Sequence, residues 1–460
     1  MNNSSITGVV VGAAVGDALG APFEFKRAKS YHERFPAPVL DGIGEMVGGG
    51  SIGWAPGEFT DDTQMGLVLA ESLLEHDLAL NLDDLWDGWL TWKEKASDVG
   101  ISTRHALSFD DWRDVTHRNP EMTAGNGALM RAFPLALIPA SREERLRWTL
   151  EQSNTTHHHP DAGWGAWLAV AMIRGILDGK DGFGVLAEEI TALPDESRMR
   201  FEPLLSPDWD PSDSKLPNGT VWGCLADAVW AVRGSTSFED AVVRAVNRGD
   251  DADTVACVAG AIAGAMYTEQ RIPGRWLSYV HGTVARRGGE NKIYGVEDLE
   301  NVARRLADLD VGNPRPEPKL GPTMVDDGLY AANRSGARDC PADWAIVSLC
   351  RTERWFKDHE VRRQWYIVDD SHGNPDLGYV VDDVVASINA LRAEGRTVLV
   401  HCEGGRSRTC LALLAWRMDQ HGASYEEAKK WLSSKWPHCS GANRSFSDYL
   451  QKEFRLTTGD

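Results

Sequence analysis

VGNPRPEPKLGP, residues 311–322, divides the chain into two unlike halves. Its four prolines remove backbone donors and fix φ, so the stretch reads as a linker and not as part of a core. Before it, apolar residues recur at helical spacing. Residues 66–75, 164–177, 221–233, 238–246 and 254–267 read as helices rich in Ala and Gly, whose small side chains allow close packing. Ser237 followed by Asp240 resembles a capping box at the start of one of them. Strand alternation is almost absent, so residues 1–310 are expected to be all-α. After the linker, residues 344–349, 365–368 and 397–401 are short apolar runs with β-branched residues and read as buried strands. Helical stretches intervene at 377–392, 410–421 and 425–435, and Ser424 with Glu427 forms a second capping box. Residues 323–460 are expected to be a smaller α/β domain, a central sheet flanked by helices.

The chain has 460 residues, room for two to four domains. Apolar residues make up 42%, enough for packed cores. The formal charge is −20, which disfavours duplex nucleic acid and anionic membrane surfaces as partners. A small anionic substrate stays open if a local basic cluster or a metal ion meets it. The seven cysteines are sparse, odd in number and never spaced CxxC, which argues against a disulfide framework or a structural zinc and for a reducing cytoplasm. No basic n-region precedes the first apolar residues, and the longest apolar run, near 256–266, is too short to span a bilayer. A cytoplasmic location is the expectation.

Residues 397–409, TVLVHCEGGRSRT, place a glycine-rich turn between a buried strand and a helix. Such a turn aims several backbone N–H groups, with the helix N-terminus behind them, at one anion. The same field favours a thiolate at Cys402. Arg408 can take two phosphate oxygens, Gly404 and Gly405 let the backbone approach, and Thr409 can donate to the cysteine sulfur. The segment resembles the cysteine-dependent phosphatase signature HCxxGxxR[S/T], met by His401, Cys402, Gly405, Arg408 and Thr409, and over about 323–455 it is closest to the dual-specificity phosphatases. The resemblance implies attack by Cys402, hydrolysis of a phosphocysteine and an aspartate general acid. The loop in residues 365–377, WYIVDDSHGNPDL, offers Asp370, with Asp369 as runner-up, although both could merely cap the next helix. Glu403 argues against a heavily charged inositol substrate, with Arg406 partly offsetting it.

Three acidic segments mark the first half: GDALGAPFEF at 16–25, FTDDTQM at 59–65 and RGDDADT at 248–254. Carboxylates this close at helix starts are costly unless a positive charge neutralises them. Capping is one reading; a hard divalent cation, Mg²⁺ or Mn²⁺, held by Asp and Thr oxygens is the other. Together the segments resemble the ADP-ribosylglycohydrolase family over about residues 6–280. GVVVGAAVGDALGAP, residues 8–22, is similar to its N-terminal signature. The resemblance implies a binuclear metal centre with Thr60, Asp61, Asp62, Asp251, Asp253 and Thr254 as ligands, Asp250 and Ala252 departing from the usual GGDTDT. It implies Glu24 near the metals and Asp98, within DVGISTRHAL at 98–107, facing the substrate linkage. It places Asn126 and Gly127 of GNGALMRAFP, residues 125–134, on the ribose and phosphates. THHHPDA, residues 156–162, matches a family segment in which His157 lines the nucleotide pocket; three consecutive histidines point in different directions and make a poor zinc site.

The expected protein is a bifunctional hydrolase. Residues 1–310 would release ADP-ribose from an acceptor, arginine first among the candidates, using two Mg²⁺ ions. Residues 323–460 would hydrolyse phosphomonoesters without a cofactor. Its partners would be an ADP-ribosylated protein or ADP-ribose derivative and a phosphorylated protein or small phosphomonoester. Two alternatives stand beside it: an ADP-ribose-binding module that recruits an active phosphatase, and sequential processing of one phosphorylated ADP-ribose derivative.

Overall fold

Residues 3–20 carry a glycine at every fourth position, Gly8, Gly12, Gly16 and Gly20, which puts all four on one helical face. They form α1 (Asn3–Gly20), and that face meets the helix Ala252–Tyr267. A Cβ on Gly8, Gly12 or Gly16 would run into the carbonyl groups of Gly264, Gly260 or Ala256, so the two backbones touch where side chains would hold them apart. This helix pair forms the centre of the N-terminal core. α1 was not visible as an amphipathic pattern because it is buried on every side and has no polar face to set a period. The stretch Asn3–Phe23 has the length and apolarity of a membrane-crossing helix, yet its whole apolar window lies inside the unit.

The structure is a computed structural model. It describes all residues except 1–2, 40–42, 214–215, 287–290, 309–318, 351, 353–355, 357, 366, 368–376, 440–443, 453 and 455–460. Most of the expected linker and the whole of the loop carrying Asp369 and Asp370 therefore lie outside the described residues. The chain divides into two compact units, Met1–Val311 and Gly312–Asp460.

Around α1 in the N-terminal unit stand α2 (Asp61–Glu75), α3 (Pro160–Leu177), α4 (Val221–Arg233), α5 (Phe238–Val246), α6 (Ala252–Tyr267) and α7 (Val296–Leu306). α4 and α5 have the bounds read from the sequence. α2 starts five residues early, because Thr60 accepts the Asp62 N–H and caps it, which draws Asp61 and Asp62 into its first turn. α3 starts at Pro160, capped by His159, whose Nδ1 accepts the Asp161 N–H at 3.1 Å. The Ser237 side chain caps α5 through the Asp240 N–H at 3.0 Å. One departure from an all-α unit is a hairpin, β1 (Gly282–Ala285) with β2 (Asn291–Tyr294), antiparallel and too short to register as alternation.

The C-terminal unit holds a five-stranded sheet of β3 (Thr323–Asp326), β4 (Leu329–Asn333), β5 (Ala345–Ser348), β6 (Arg362–Gln364) and β7 (Val398–Cys402), in the order β3-β4-β7-β5-β6. β3 pairs antiparallel with β4; the other pairs are parallel. Val398 and Val400 of the central strand pack with Val384, Ile388, Leu411 and Trp416 from α8 (Leu377–Ala393) and α9 (Arg408–His421), while Leu399 packs with Ile346 and Phe356. α10 (Tyr425–Lys435) begins at the complete Ser424–Glu427 capping box. Of the strand read at 365–368, residues 366 and 368 lie outside the described residues; the described pairing with β5 runs over Arg362–Gln364, an exposed edge strand without an apolar signal. The cysteine pattern also misled, since Cys410 and Cys439 form a disulfide; 29 residues of separation leave no spacing motif to read. Cys224, Cys257, Cys340, Cys350 and Cys402 are free and buried.

Gly12→Val is expected to destabilise the N-terminal unit by about 3 kcal/mol, because the added side chain must separate two touching helices. A lower urea midpoint followed by tryptophan fluorescence would register it; an unchanged midpoint would mean that the helices part freely.

Candidate active sites

The α1–α6 contact brings the end of one helix against the start of the other: Gly20 lies on Ala252 and Asp253. Two backbone bonds, Phe25 N–H to Asp250 O at 2.6 Å and Asp250 N–H to Lys26 O at 2.7 Å, then clamp the segment after α1 to the loop before α6. The N-terminus of α2 is tied to α1 through Asp17, whose carboxylate accepts the N–H groups of Thr60 and Thr63, both at 3.0 Å, and the Thr63 hydroxyl at 2.6 Å. Asp17, Glu24, Asp61, Asp62, Asp251 and Asp253 thus share one region, with the N-termini of α2 and α6 beside them.

Two compact sets of oxygens result. Asp17, Asp62 and Asp253 each place an oxygen within 4.8 Å of the others, and so do Glu24, Asp251 and Asp253; Asp253 serves both. Burial pushes Asp17 up to about 6, against the hydrogen bonds from Thr63 and Thr60; burial and then repulsion from neighbouring carboxylates push Glu24 up to about 8 and Asp61, Asp62 and Asp253 well above the usual range. Asp251 is raised by burial too, with Asn126 and Thr254 opposing as donors. Among the described residues, no Lys or Arg pairs with any of the six. Glu24 Oε2 and Asp62 Oδ1 are buried without a hydrogen-bond partner. Orphaned acceptors inside a group of repelling carboxylates fit a divalent cation better than helix capping, which would have used those oxygens.

The expected ligands divide on inspection. Asp62, Asp251 and Asp253 belong to the compact sets; Asp61 does not, although it shares their field. The Thr60 hydroxyl donates to Asp62 Oδ2 at 3.0 Å, and Thr254 acts as a donor on Asp62 and Asp251. Glu24 joins a carboxylate set directly. Asp17, an acid inside a run of small apolar residues, joins the first set although the family resemblance assigns it no role. Asp98 is half-buried at the margin, and its charge raises Glu24, Asp61 and Asp251.

The glycine loop lies against this centre. Asn126 Nδ2 donates to Asp251 Oδ2 at 2.9 Å and to the Asn218 carbonyl at 3.1 Å. Gly127 has no room for a side chain without pressing on the His157 ring. The three histidines do point apart: His157 to this loop, His158 edge-on to His117, His159 to the α3 N-terminus. None joins a carboxylate set.

In the C-terminal unit Cys402 ends β7 and Arg408 opens α9, as the phosphate loop requires. Gly405 takes φ 65°, in the left-handed region, and its carbonyl accepts the Trp436 indole N–H at 2.7 Å. The space beside Gly404 is open. Arg408 Nη1 donates to the Ile367 carbonyl at 3.2 Å. Thr409 is buried and its hydroxyl has no partner among the described residues, Cys402 included. His401 shares a 2.8 Å hydrogen bond with Ser348 Oγ, and burial pushes it down to about 3, so it is neutral. Sequence reasoning set Arg406 against Glu403; the structure brings Arg334 to it instead, with the Arg334 N–H on the Glu403 carbonyl at 3.0 Å and the guanidinium 3.8 Å from the carboxylate. That pair is 69 positions apart in sequence, beyond local reading.

Residues 2–316 match the family described as ADP-ribosylglycohydrolase, and residues 344–453 match the dual specificity phosphatase catalytic domain. The chain belongs to the ADP-ribosylglycohydrolase family and carries a phosphatase domain beside it; both are hydrolase families. It is 32% identical to ADP-ribosylarginine hydrolase Tri1 of Serratia proteamaculans over 318 residues, covering 65% of this chain and 78% of that protein. It is 32% identical to the ADP-ribosyl-[dinitrogen reductase] glycohydrolase of Rhodospirillum rubrum, covering 61% and 91%. The second half is 26% identical to dual specificity protein phosphatase 1 of Arabidopsis thaliana, covering 35% of this chain and 78% of that protein.

The raised carboxyls have a consequence for stability. Without metal, their folded pKa values exceed the unfolded ones near 4, so the stabilisation is fully present below about pH 4, and above it the folded state holds extra protons and loses that stabilisation as pH rises through about 6 for Asp17 and about 8 for Glu24. Buried His157 works the opposite way around its unfolded pKa, so the informative quantity is the difference that metal makes. Saturating Mg²⁺ or Mn²⁺ should raise the unfolding temperature by about 5 °C or more at pH 8 and by less at pH 5. An equal increment at both pH values would mean that the carboxyls are not the binding groups.

Proposed function

We propose that the N-terminal unit hydrolyses the bond between ribose C1″ of ADP-ribose and an arginine side chain on a protein, and that the C-terminal unit hydrolyses phosphomonoesters. The observation that carries the first half is the pair of carboxylate triads meeting at Asp253. The arginine linkage is supported by the similarity to ADP-ribosylarginine hydrolase Tri1. The two units, about 1–310 and 323–460, would be separate enzymes on one chain.

Asp17, Asp62 and Asp253 would hold one Mg²⁺, and Glu24, Asp251 and Asp253 the other, with Asp61, Thr60 and Thr254 completing the surroundings. The ions would supply Lewis-acid polarisation of ribose oxygens and of water at the anomeric carbon. Asn126, held by Asp251, keeps the glycine loop in register with this centre. Gly127 leaves room for the ligand's phosphates and ribose, and His157 lines the same loop. Asp98, at the margin of the carboxylate group, is the residue placed to hydrogen-bond the departing guanidine.

In the second unit, Cys402 Sγ attacks phosphorus as the P–O bond to the leaving group breaks. The loop N–H groups and Arg408 carry the phosphate charge. The leaving oxygen takes a proton from an aspartic acid, Asp370 or Asp369 in this reading. Water then attacks phosphorus, releasing phosphate and the thiolate, with the same carboxylate taking the proton. Neutral His401, bonded to Ser348, supports the strand end from which Cys402 projects.

An ADP-ribosylarginine peptide and an aryl phosphate, assayed side by side, separate the two halves. Asp253→Asn is expected to lower ADP-ribose release by about 100-fold or more while aryl phosphate hydrolysis is kept. Cys402→Ser should do the reverse, with a loss of at least about 10³-fold in phosphatase turnover. Release that survives in Asp253→Asn, or in EDTA, would sink the metal-dependent reading. A chain that binds ADP-ribose tightly but never releases it from arginine would be the recruiting module instead.

A further inference from the structure

Behind His157 lies a hydrogen-bond chain that only one proton arrangement satisfies. Arg131 is wholly buried, and among the described residues no carboxylate pairs with it. Its Nε donates to Gln152 Oε1 at 2.9 Å, and its Nη2 to the Gln152 carbonyl at 3.0 Å and to Thr156 Oγ1 at 2.8 Å; Nη1 has no partner. The guanidinium lies over the Trp89 ring, 4.0 Å from its centroid. Thr156 Oγ1, also fully buried, sits 2.7 Å from His157 Nδ1.

A guanidinium only donates. If His157 Nδ1 carried a proton, the Thr156 oxygen would face two donors and its own hydrogen would have no acceptor in a buried site. With Nδ1 bare, the hydroxyl accepts from Arg131 and donates to His157, so both the oxygen and the hydrogen of Thr156 are used. A second proton on the ring is opposed by burial first and then by Arg131, His117 and His158. The single ring proton therefore sits on Nε2. That nitrogen has no acceptor among the described residues, and it faces the glycine loop: a Cβ on Gly127 would lie 3.2 Å from it and one on Gly125 3.4 Å. The histidine is only 3% exposed, so this is a buried, unused donor aimed at the place where a ligand would lie.

We propose that Arg131, acting through Thr156, is a positioning residue that holds His157 as a neutral Nε2–H donor for a phosphate or ribose oxygen of the ligand in the glycine loop. The identity of that ligand, ADP-ribose, rests on the function proposed above; the tautomer does not.

The test is to label the full chain with ¹⁵N-histidine and read the tautomer from two-bond ¹H–¹⁵N correlations, assigning His157 by its disappearance in His157→Asn. The wild type should show Nε2–H. Thr156→Val keeps the shape and removes the hydroxyl: the Nε2–H signature should be lost or mixed, and calorimetric affinity for ADP-ribose should fall about tenfold. Thr156→Ser should restore both, which a packing role would not do. Arg131→Met should let the Nδ1–H form appear; if it does not fold, the Thr156 pair still decides. An Nδ1–H or doubly protonated His157 in the wild type, or an unchanged spectrum in Thr156→Val, overturns the proposal. An Nε2–H signature that depends on Thr156, in a chain that does not bind ADP-ribose, would uphold the positioning and reject the ligand.

Discussion

The backbone contact between α1 and α6 fixes the geometry of the N-terminal unit. Gly8, Gly12 and Gly16 let α1 lie against the carbonyl groups of α6, closer than any side chain would allow. Close packing of this kind gains dispersion along the whole contact and leaves little freedom to slide. Its functional effect falls at one end, where Asp17 and Glu24 from one side meet Asp251 and Asp253 from the other. Asp17 then carries the constraint to a third element, because its carboxylate holds the first turn of α2 and with it Asp61 and Asp62. Three pieces of chain, the first and last more than 200 residues apart, are brought to one point by a stripe of missing side chains.

That convergence is electrostatically expensive on its own. Six clustered carboxylates, five of them buried, with no basic partner among the described residues must bind protons or cations, and their raised pKa values express the first choice. The unpartnered oxygens of Glu24 and Asp62 favour the second. The phosphatase unit handles charge in the opposite sense. Around Cys402 the basic groups Arg408 and Arg334 stand with a helix N-terminus, and Glu403 is drawn aside by Arg334 instead of crowding the anion site. One unit gathers carboxylates; the other gathers hydrogen-bond donors.

How much of this could be read from sequence depended on how local each feature is. The phosphate loop was legible because strand, turn and helix follow within thirteen residues and every contributor is in the string. α10 was legible because it has a buried and an exposed face, and α5 because buried positions alternate with half-buried ones at helical spacing behind the Ser237 cap. α1 was not, since a helix buried all round shows no period. Asp17 was passed over because its partners are 43 and 46 residues away, and the sharing of Asp253 between two triads is a property of space alone. The same holds for Arg334 with Glu403 and for Cys410 with Cys439. The edge strand Arg362–Gln364 failed for a different reason: exposed on both faces, it needs no apolar residue, and the apolar run just after it took the assignment.

The central claim is that the carboxylates gathered by the α1–α6 contact form one site for two cations with Asp253 common to both. Titration of the chelated full-length chain with Mn²⁺, counted by native mass spectrometry, tests it directly. The account predicts two ions per wild-type chain and loss of both, not one, in Asp253→Asn. A wild type that binds none or one, or an Asp253→Asn chain that still binds two, would contradict it.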